Sequence, residues 1–134
     1  MYVFVYGTLK QGYGNHRLLK GKSLYMGEAE LLDYGVFPLP YGFPGILPKE
    51  GEIVKGELYS IDEQVLNGLD YLEGFYEPNH PHNMYERTEV EVVRYLEWDR
   101  GGVTIPNRVK AYTYVWARDE KPEYYNKMCT EWNR

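Results

Sequence analysis

Tyr2-Val3-Phe4-Val5-Tyr6-Gly7-Thr8-Leu9-Lys10 stands at the head of the chain. From Tyr2 to Tyr6 every side chain is β-branched or aromatic, and the run stops at a glycine. A continuous apolar run of this kind is expected of a strand buried on both faces. From Gly7 to Gly14 the glycines at 7, 12 and 14 are too many for a helix interior, so this stretch reads as a loop. A glycine where a strand ends lets the backbone turn and lets another molecule come close. The amides that follow can form a small nest for a carboxylate or an oxyanion. Taken alone, the same pattern also describes a plain turn.

Outward from this stretch, Asn15 is placed to cap a short helix through Lys20 that Gly21 ends. Ser23 to Leu32 reads as a second strand. Residues 33–51 are rich in Gly and Pro, which predicts loop and edge segments and excludes helix or central strand. Ile53 to Tyr59 is a further strand. Ser60 and Glu63 have the spacing of a capping box, Val65, Leu69 and Leu72 follow at helical intervals, and Gly74 suits the C′ stop. Residues 75–84, with Pro78 and Pro81, are expected to be irregular. Tyr85 to Trp98 and Arg108 to Ala117 read as strands joined by a turn at Asp99-Arg100-Gly101-Gly102. Pro122 suits the first turn of a short terminal helix. Strand, short helix, strands, one longer helix and a hairpin in that order predict an α+β or closed-barrel arrangement, a mainly antiparallel sheet with one principal helix and no repeated βαβ unit.

Glu73 is the acid whose position carries most information. It precedes Gly74 at the negative end of the predicted helix and lies one i, i+4 step from Leu69, beside the apolar stripe. If buried, it is expected to hold its proton to unusually high pH, as suits a general base that must return the proton. A solvated glutamate at a frayed helix end is the alternative. Asp70 is expected to face solvent or bond a neighbouring backbone group, and Glu57 to sit on a strand exterior.

The 134 residues predict one domain spanning 1–134. A net charge of −5 without a basic run argues against nucleic acid and anionic membranes as partners. Cys129 stands alone and cannot form an intramolecular disulfide, no leader-like segment opens the sequence, and no apolar run reaches the roughly 20 residues of a membrane span, so a cytoplasmic protein is expected. His16, His80 and His82 have no zinc-ligand spacing, and neither a nucleophile elbow nor a phosphate-binding loop is present. The 15 tyrosines fit either the wall of a wet pocket or a Tyr-rich sheet surface.

Taken in order, these pieces resemble the γ-glutamylcyclotransferase-like superfamily, and within it the γ-glutamylamine cyclotransferase and AIG2-like branch. The residues that carry the resemblance are Phe4-Val5-Tyr6-Gly7-Thr8-Leu9-Lys10, Asn15-His16, Leu18-Leu19, Phe43-Pro44-Gly45-Ile46, Val54-Lys55-Gly56-Glu57-Leu58-Tyr59, Leu69-Asp70-Tyr71-Leu72-Glu73-Gly74, Tyr85-Glu86-Arg87 and Ala111-Tyr112-Thr113-Tyr114. They span about residues 2–116. The resemblance implies a small, mixed, mainly antiparallel β-barrel with flanking helices and a pocket at one end. It implies that the amides of Tyr6, Gly7, Thr8 and Leu9 hold the γ-glutamyl group, that Glu73 is the catalytic acid and base, and that Tyr85 and Tyr112 or Tyr114 line the pocket. It implies a reaction without metal or cofactor, in which the substrate's α-amine closes on its own γ-glutamyl carbonyl to give 5-oxoproline and a free amine. The small-molecule γ-glutamyl substrate is the expected partner, and the expected state is a monomer or a weak homodimer.

The stretch Tyr76-Glu77-Pro78-Asn79-His80-Pro81-His82-Asn83 departs from the family pattern by its length and is expected near the pocket mouth, as a selector of the leaving amine, a lid or a block. Free γ-glutamyl amino acids, γ-glutamyl-ε-lysine and a γ-glutamyl-capped biosynthetic intermediate stay open as substrates. Two further readings also stand: a non-catalytic member of the fold that binds a small carboxylate, and an interaction protein using an aromatic surface with Trp98, Trp116 and Trp132.

Overall fold

In the computed structural model, which describes residues 1–97, 102 and 104–133, five strands close into a barrel in the order β1-β3-β2-β4-β5. β1 is Tyr2–Val5, β2 Leu24–Pro38, β3 Pro44–Ser60, β4 Tyr85–Glu97 and β5 Thr104–Trp116. A 3₁₀ turn, Gly14–Leu18, follows β1, helix α1 spans Glu63–Leu72 and helix α2 spans Pro122–Asn126. All pairs are antiparallel except β1 with β5, which meet in parallel at Val3 and Tyr112 and close the ring. The sheet is therefore mixed and mainly antiparallel, with helices flanking it, as expected.

β1 is short and buried on both faces. Val3 and Val5 pack into one hydrophobic cluster, with Leu66 and Leu69 of α1 and Tyr124 of α2, while Phe4 and Tyr6 pack into a second with Leu31, Ile46, Val54 and Leu58. Alternate side chains point to opposite faces of a strand, so a strand buried on both faces needs the unbroken apolar run read above. Gly56 of β3 lets β1 come this close: a Cβ there would lie 2.4 Å from the Val5 carbonyl oxygen.

The proline-rich stretch does not break into loops. β2 and β3 form one long hairpin, whose last pairing is Pro38 with Pro44. Proline is tolerated at strand ends and at bulges because no ladder donor is lost there. Pro48 pairs with Tyr34 beside a register shift, where Asp33 takes a left-handed φ of 64° and its Oδ1 accepts from the Gly51 amide at 3.0 Å.

Two helix starts also differ from expectation. α1 is capped by Asp62, whose Oδ1 accepts from the Val65 amide at 2.8 Å, and not by Ser60. Ser60 is paired with Tyr2 and Leu24 in the sheet and is unavailable. Asn15 caps nothing: it lies inside the 3₁₀ turn, and its side chain is turned to Thr8. α2 starts with Pro122 in its first turn, as expected. The predicted turn at 99–102 lies outside the described residues apart from Gly102, as does Trp98. Trp116 and Trp132 are 6% and 7% exposed and belong to the core, so neither offers an interaction surface. No helix among the described residues is long and apolar enough to cross a membrane.

Candidate active site

β1 delivers Tyr6 to the rim of the barrel, and the chain then turns away through Gly7. Gly7 is needed here because of its neighbour: a Cβ would lie 2.8 Å from Pro44 Cγ, at the start of β3. The close approach anticipated at this glycine is therefore made by the protein's own proline. The Lys10 amide closes the turn on the Gly7 carbonyl at 3.1 Å. The amides of Gly7, Thr8 and Leu9 find no acceptor among the described residues. Three consecutive donors without partners fit a site for an anionic or developing oxyanionic group.

The loop is braced from the 3₁₀ turn. Asn15 Nδ2 donates to Thr8 Oγ1 at 2.9 Å, the Asn15 amide donates to the Thr8 carbonyl at 3.1 Å, and His16 Nδ1 lies 2.9 Å from the Leu9 carbonyl. Asn15-His16 thus fixes the loop segment that lines the cavity, a role its sequence position alone did not disclose.

The opposite wall is the end of α1. Glu73 is the C-cap, and Gly74 adopts φ 64° at C′. The Phe75 amide reaches back to the Asp70 carbonyl at 2.9 Å and the Gly74 amide to the Tyr71 carbonyl at 3.3 Å, the two bonds of a Schellman motif. This termination fixes the direction of the Glu73 side chain. It enters a cavity of about 400 Å³ whose wall also holds Tyr6, Gly7, Thr8, Leu9, Tyr85 and Tyr114. Residues as far apart in sequence as Tyr6 and Tyr114, 108 positions, therefore face one volume. Tyr112 is not part of that wall. Its ring instead stacks under the Arg87 guanidinium, 4.9 Å from the ring centre, and Phe75 flanks the same guanidinium at 5.0 Å.

Burial pushes the Glu73 carboxyl up from 4.5 to about 7. No hydrogen bond or ion pair from the described residues offsets this, and the helix terminus adds a local negative potential. The three cavity tyrosines do not relieve it, because each hydroxyl proton is directed elsewhere. Tyr6 Oη donates to the Tyr114 carbonyl at 2.6 Å, Tyr85 Oη to the Pro44 carbonyl at 2.6 Å, and Tyr114 Oη to Asp70 Oδ1 at 2.7 Å. Burial raises all three phenols well above the usual range. Smaller contributions come from Tyr85 and Glu73 at Tyr6, from Glu73 at Tyr85, and from Asp70 and Glu73 at Tyr114, so all three stay protonated; Tyr6 Oη also accepts from the Ile46 backbone, and what the phenols offer for further bonds is acceptor lone pairs. Acceptors around a carboxyl suit an ammonium group or an amine losing its proton.

Asp70 is not at the solvent-facing position expected of it. Its Oδ2 pairs with Arg87 Nη1 while Oδ1 holds Tyr114, and only 16% of the Asp70 side-chain surface is exposed. Asp70 and Arg87 therefore position a cavity tyrosine. The Asp70–Glu73 spacing was the available signal, but the partners lie 17 and 44 residues away. Phe4, Val5, Asn15, Tyr41, Gly42, Phe43, Pro44, Leu72 and Met84 also line the cavity. Of the 75–84 stretch only Met84 lines the cavity.

A family model described as gamma-glutamyl cyclotransferase, AIG2-like, matches residues 3–134. The chain is 32% identical over 136 residues to gamma-L-glutamyl-butirosin B gamma-glutamyl cyclotransferase of Niallia circulans, covering 98% of this chain and 75% of that protein. It is 37% identical over 111 residues to the gamma-glutamylaminecyclotransferase of Rattus norvegicus, covering 75% of this chain and 68% of the relative. A crystal structure of an AIG2-like protein from Mus musculus superposes with a TM-score of 0.73 at 28% identity, over 98% of this chain and 87% of that one.

Proposed function

The chain belongs to the AIG2-like γ-glutamyl cyclotransferase family, and on that footing we propose that it converts a γ-glutamyl amine or γ-glutamyl amino acid into 5-oxoproline and the free amine, with Glu73 as general acid and base. The observation that carries this reading is the juxtaposition of an unpaired carboxyl, held near neutrality by burial, with three unpartnered loop amides across one cavity.

In the proposed reaction the substrate's α-amino nitrogen attacks its own γ-carbonyl carbon. The new C–N bond closes a five-membered ring, and the bond to the leaving nitrogen breaks. Glu73 takes a proton from the α-amine and delivers one to the leaving amine, so no external acid or oxidant is needed. The amides of Gly7, Thr8 and Leu9 hold the substrate's carboxylate or the developing oxyanion. The acceptor oxygens of Tyr6, Tyr85 and Tyr114 surround the amine and favour the folded substrate in which nitrogen and carbonyl meet. Orientation of this kind is the main requirement of a ring closure. A protein that only bound a small carboxylate would gain nothing from an unpaired acid facing it, which argues for the enzyme over the binder. A reducing cytoplasm suits a chain with a single, exposed cysteine.

The test is 5-oxoproline release by the purified protein from a panel of γ-glutamyl amines and γ-glutamyl amino acids. Release from at least one class is expected. Silence across the panel, from protein shown to be folded, contradicts the proposal.

A further inference from the structure

The less exposed lining residues bring polar groups to the wall: Glu73, the 7–9 loop and the tyrosines 6, 85 and 114. The outer part is different. The lining residues with exposed surface include Tyr41, 66% exposed, and Met84, 40% exposed, and Phe43 and Leu72 are half-buried beside them. Among the described residues Glu73 is the single charged side chain in the wall, with no Lys, Arg or His beside it. A leaving amine that carries a carboxylate therefore finds no cation, and one that carries a second ammonium finds no acid other than the one assigned to the reaction.

Both sides of this outer slot are held. Tyr41 sits at the tip of the β2–β3 hairpin, which is closed by bonds from the Leu39 amide to the Phe43 carbonyl at 3.0 Å and from the Gly42 amide to the Leu39 carbonyl at 3.4 Å. The Tyr41 and Phe43 rings stack with centroids 5.6 Å apart. Met84 is fixed through its backbone: its amide donates to the Gly74 carbonyl at 3.0 Å, and its carbonyl accepts from the Ala117 amide at 3.0 Å. Gly74 is packed so closely that a Cβ there would lie 3.1 Å from Met84 Cβ. Exposed apolar side chains gathered at the mouth of a polar cavity call for an apolar ligand group.

We propose that this slot selects a neutral, apolar leaving amine, gripped between Tyr41 and Phe43 on one side and Met84 on the other. The proposal rests on the cyclotransferase reading and narrows it, and it moves the task of selection from the body of the 75–84 loop to the hairpin tip and Met84.

The test compares three γ-glutamyl amides of similar size, formed from n-butylamine, from 1,4-diaminobutane and from leucine. Affinity is measured by calorimetry on the Glu73→Gln variant, and 5-oxoproline release is measured on the wild type. The neutral butylamide is expected to bind at least tenfold tighter than either charged amide and to have the highest kcat/KM. Tyr41→Ser and Met84→Ser are each expected to shrink that preference several-fold. Equal or tighter binding of a charged amide, or variants that weaken all three amides alike, would overturn the slot. If the affinity order holds while no amide releases 5-oxoproline, the slot stands and the reaction assigned to it falls. If none of the three binds, the slot falls as well.

Discussion

Glu73 sits at a helix C-terminus, inside a cavity, with no donor among the described residues aimed at it, and each of these conditions opposes its charge. Its native value of about 7 stands above the ordinary 4.5, so the folded state keeps this proton to higher pH than the unfolded chain does. The stability supplied by the protonated form is complete below pH 4.5 and is lost as pH rises to about 7. The gap corresponds to about 3 kcal/mol. Glu73→Gln, which cannot ionise, is therefore expected to be more stable than wild type above pH 7 by about that amount, with the difference vanishing near pH 4. Urea unfolding at pH 4, 6 and 8 measures this, and a difference independent of pH would show that the carboxyl is solvated in the native state. In the same scheme wild-type kcat/KM rises through an acid limb near pH 7 as Glu73 becomes the base. Gly7 supplies a second prediction at this scale. Gly7→Ala drives a methyl into Pro44, at an expected stability loss of about 1–3 kcal/mol and with a raised KM because the loop amides move. Thermal unfolding and Michaelis kinetics would show it, and an unchanged KM would disconnect the Gly7–Pro44 contact from the site.

At the scale of elements, α1 was legible because periodicity and the Gly74 stop are local signals. Its start was misassigned because Ser60 and Asp62 are both competent caps and only sheet pairing removes Ser60 from the choice. The β2–β3 hairpin was hidden by prolines whose harmlessness depends on partners across the ladder. Asn15 and Asp70 were misread for the same reason: the groups they bond are fixed by the fold and not by neighbours in sequence. The residues after α2 show another long-range device. Cys129 bridges to Val36, the Thr130 carbonyl accepts from the Lys55 amide at 2.7 Å, and Trp132 packs beside Tyr13 with ring centroids 5.3 Å apart. Lys10, 5% exposed, donates from Nζ to the Trp132 carbonyl at 2.7 Å. Because Lys10 follows Leu9, this segment anchors the end of the site loop. Lys10→Met leaves the carbonyl without its charged donor and is expected to cost about 1–3 kcal/mol and to raise KM several-fold with a smaller effect on kcat. A lowered melting temperature with KM unchanged would confine the anchor to a structural role.

For the molecule as a whole, the barrel sets the site by closing. The parallel contact between β1 and β5 brings the end of β1, with Tyr6, against Tyr114 of β5, while the β2–β3 hairpin carries Pro44 to Gly7 and Tyr85. The order of elements left the closed barrel as one of two arrangements and gave the strands without their neighbours; the ordered set of short motifs pointed to the barrel through family resemblance. Gly56 tests the closure directly. Gly56→Ala places a methyl against the Val5 carbonyl and the Phe4 ring, and a loss of about 1–3 kcal/mol or more is expected. Retained wild-type stability, measured by urea unfolding, would contradict the close approach of β1 and β3 at Gly56. The measurement that bears most directly on the central claim is 5-oxoproline release by Glu73→Gln beside wild type, with circular dichroism and γ-glutamyl amide binding recorded on both. A folded, binding-competent variant slowed by about 10²–10⁴-fold is the result expected of a lost general acid and base; turnover close to wild type would contradict the role assigned to Glu73.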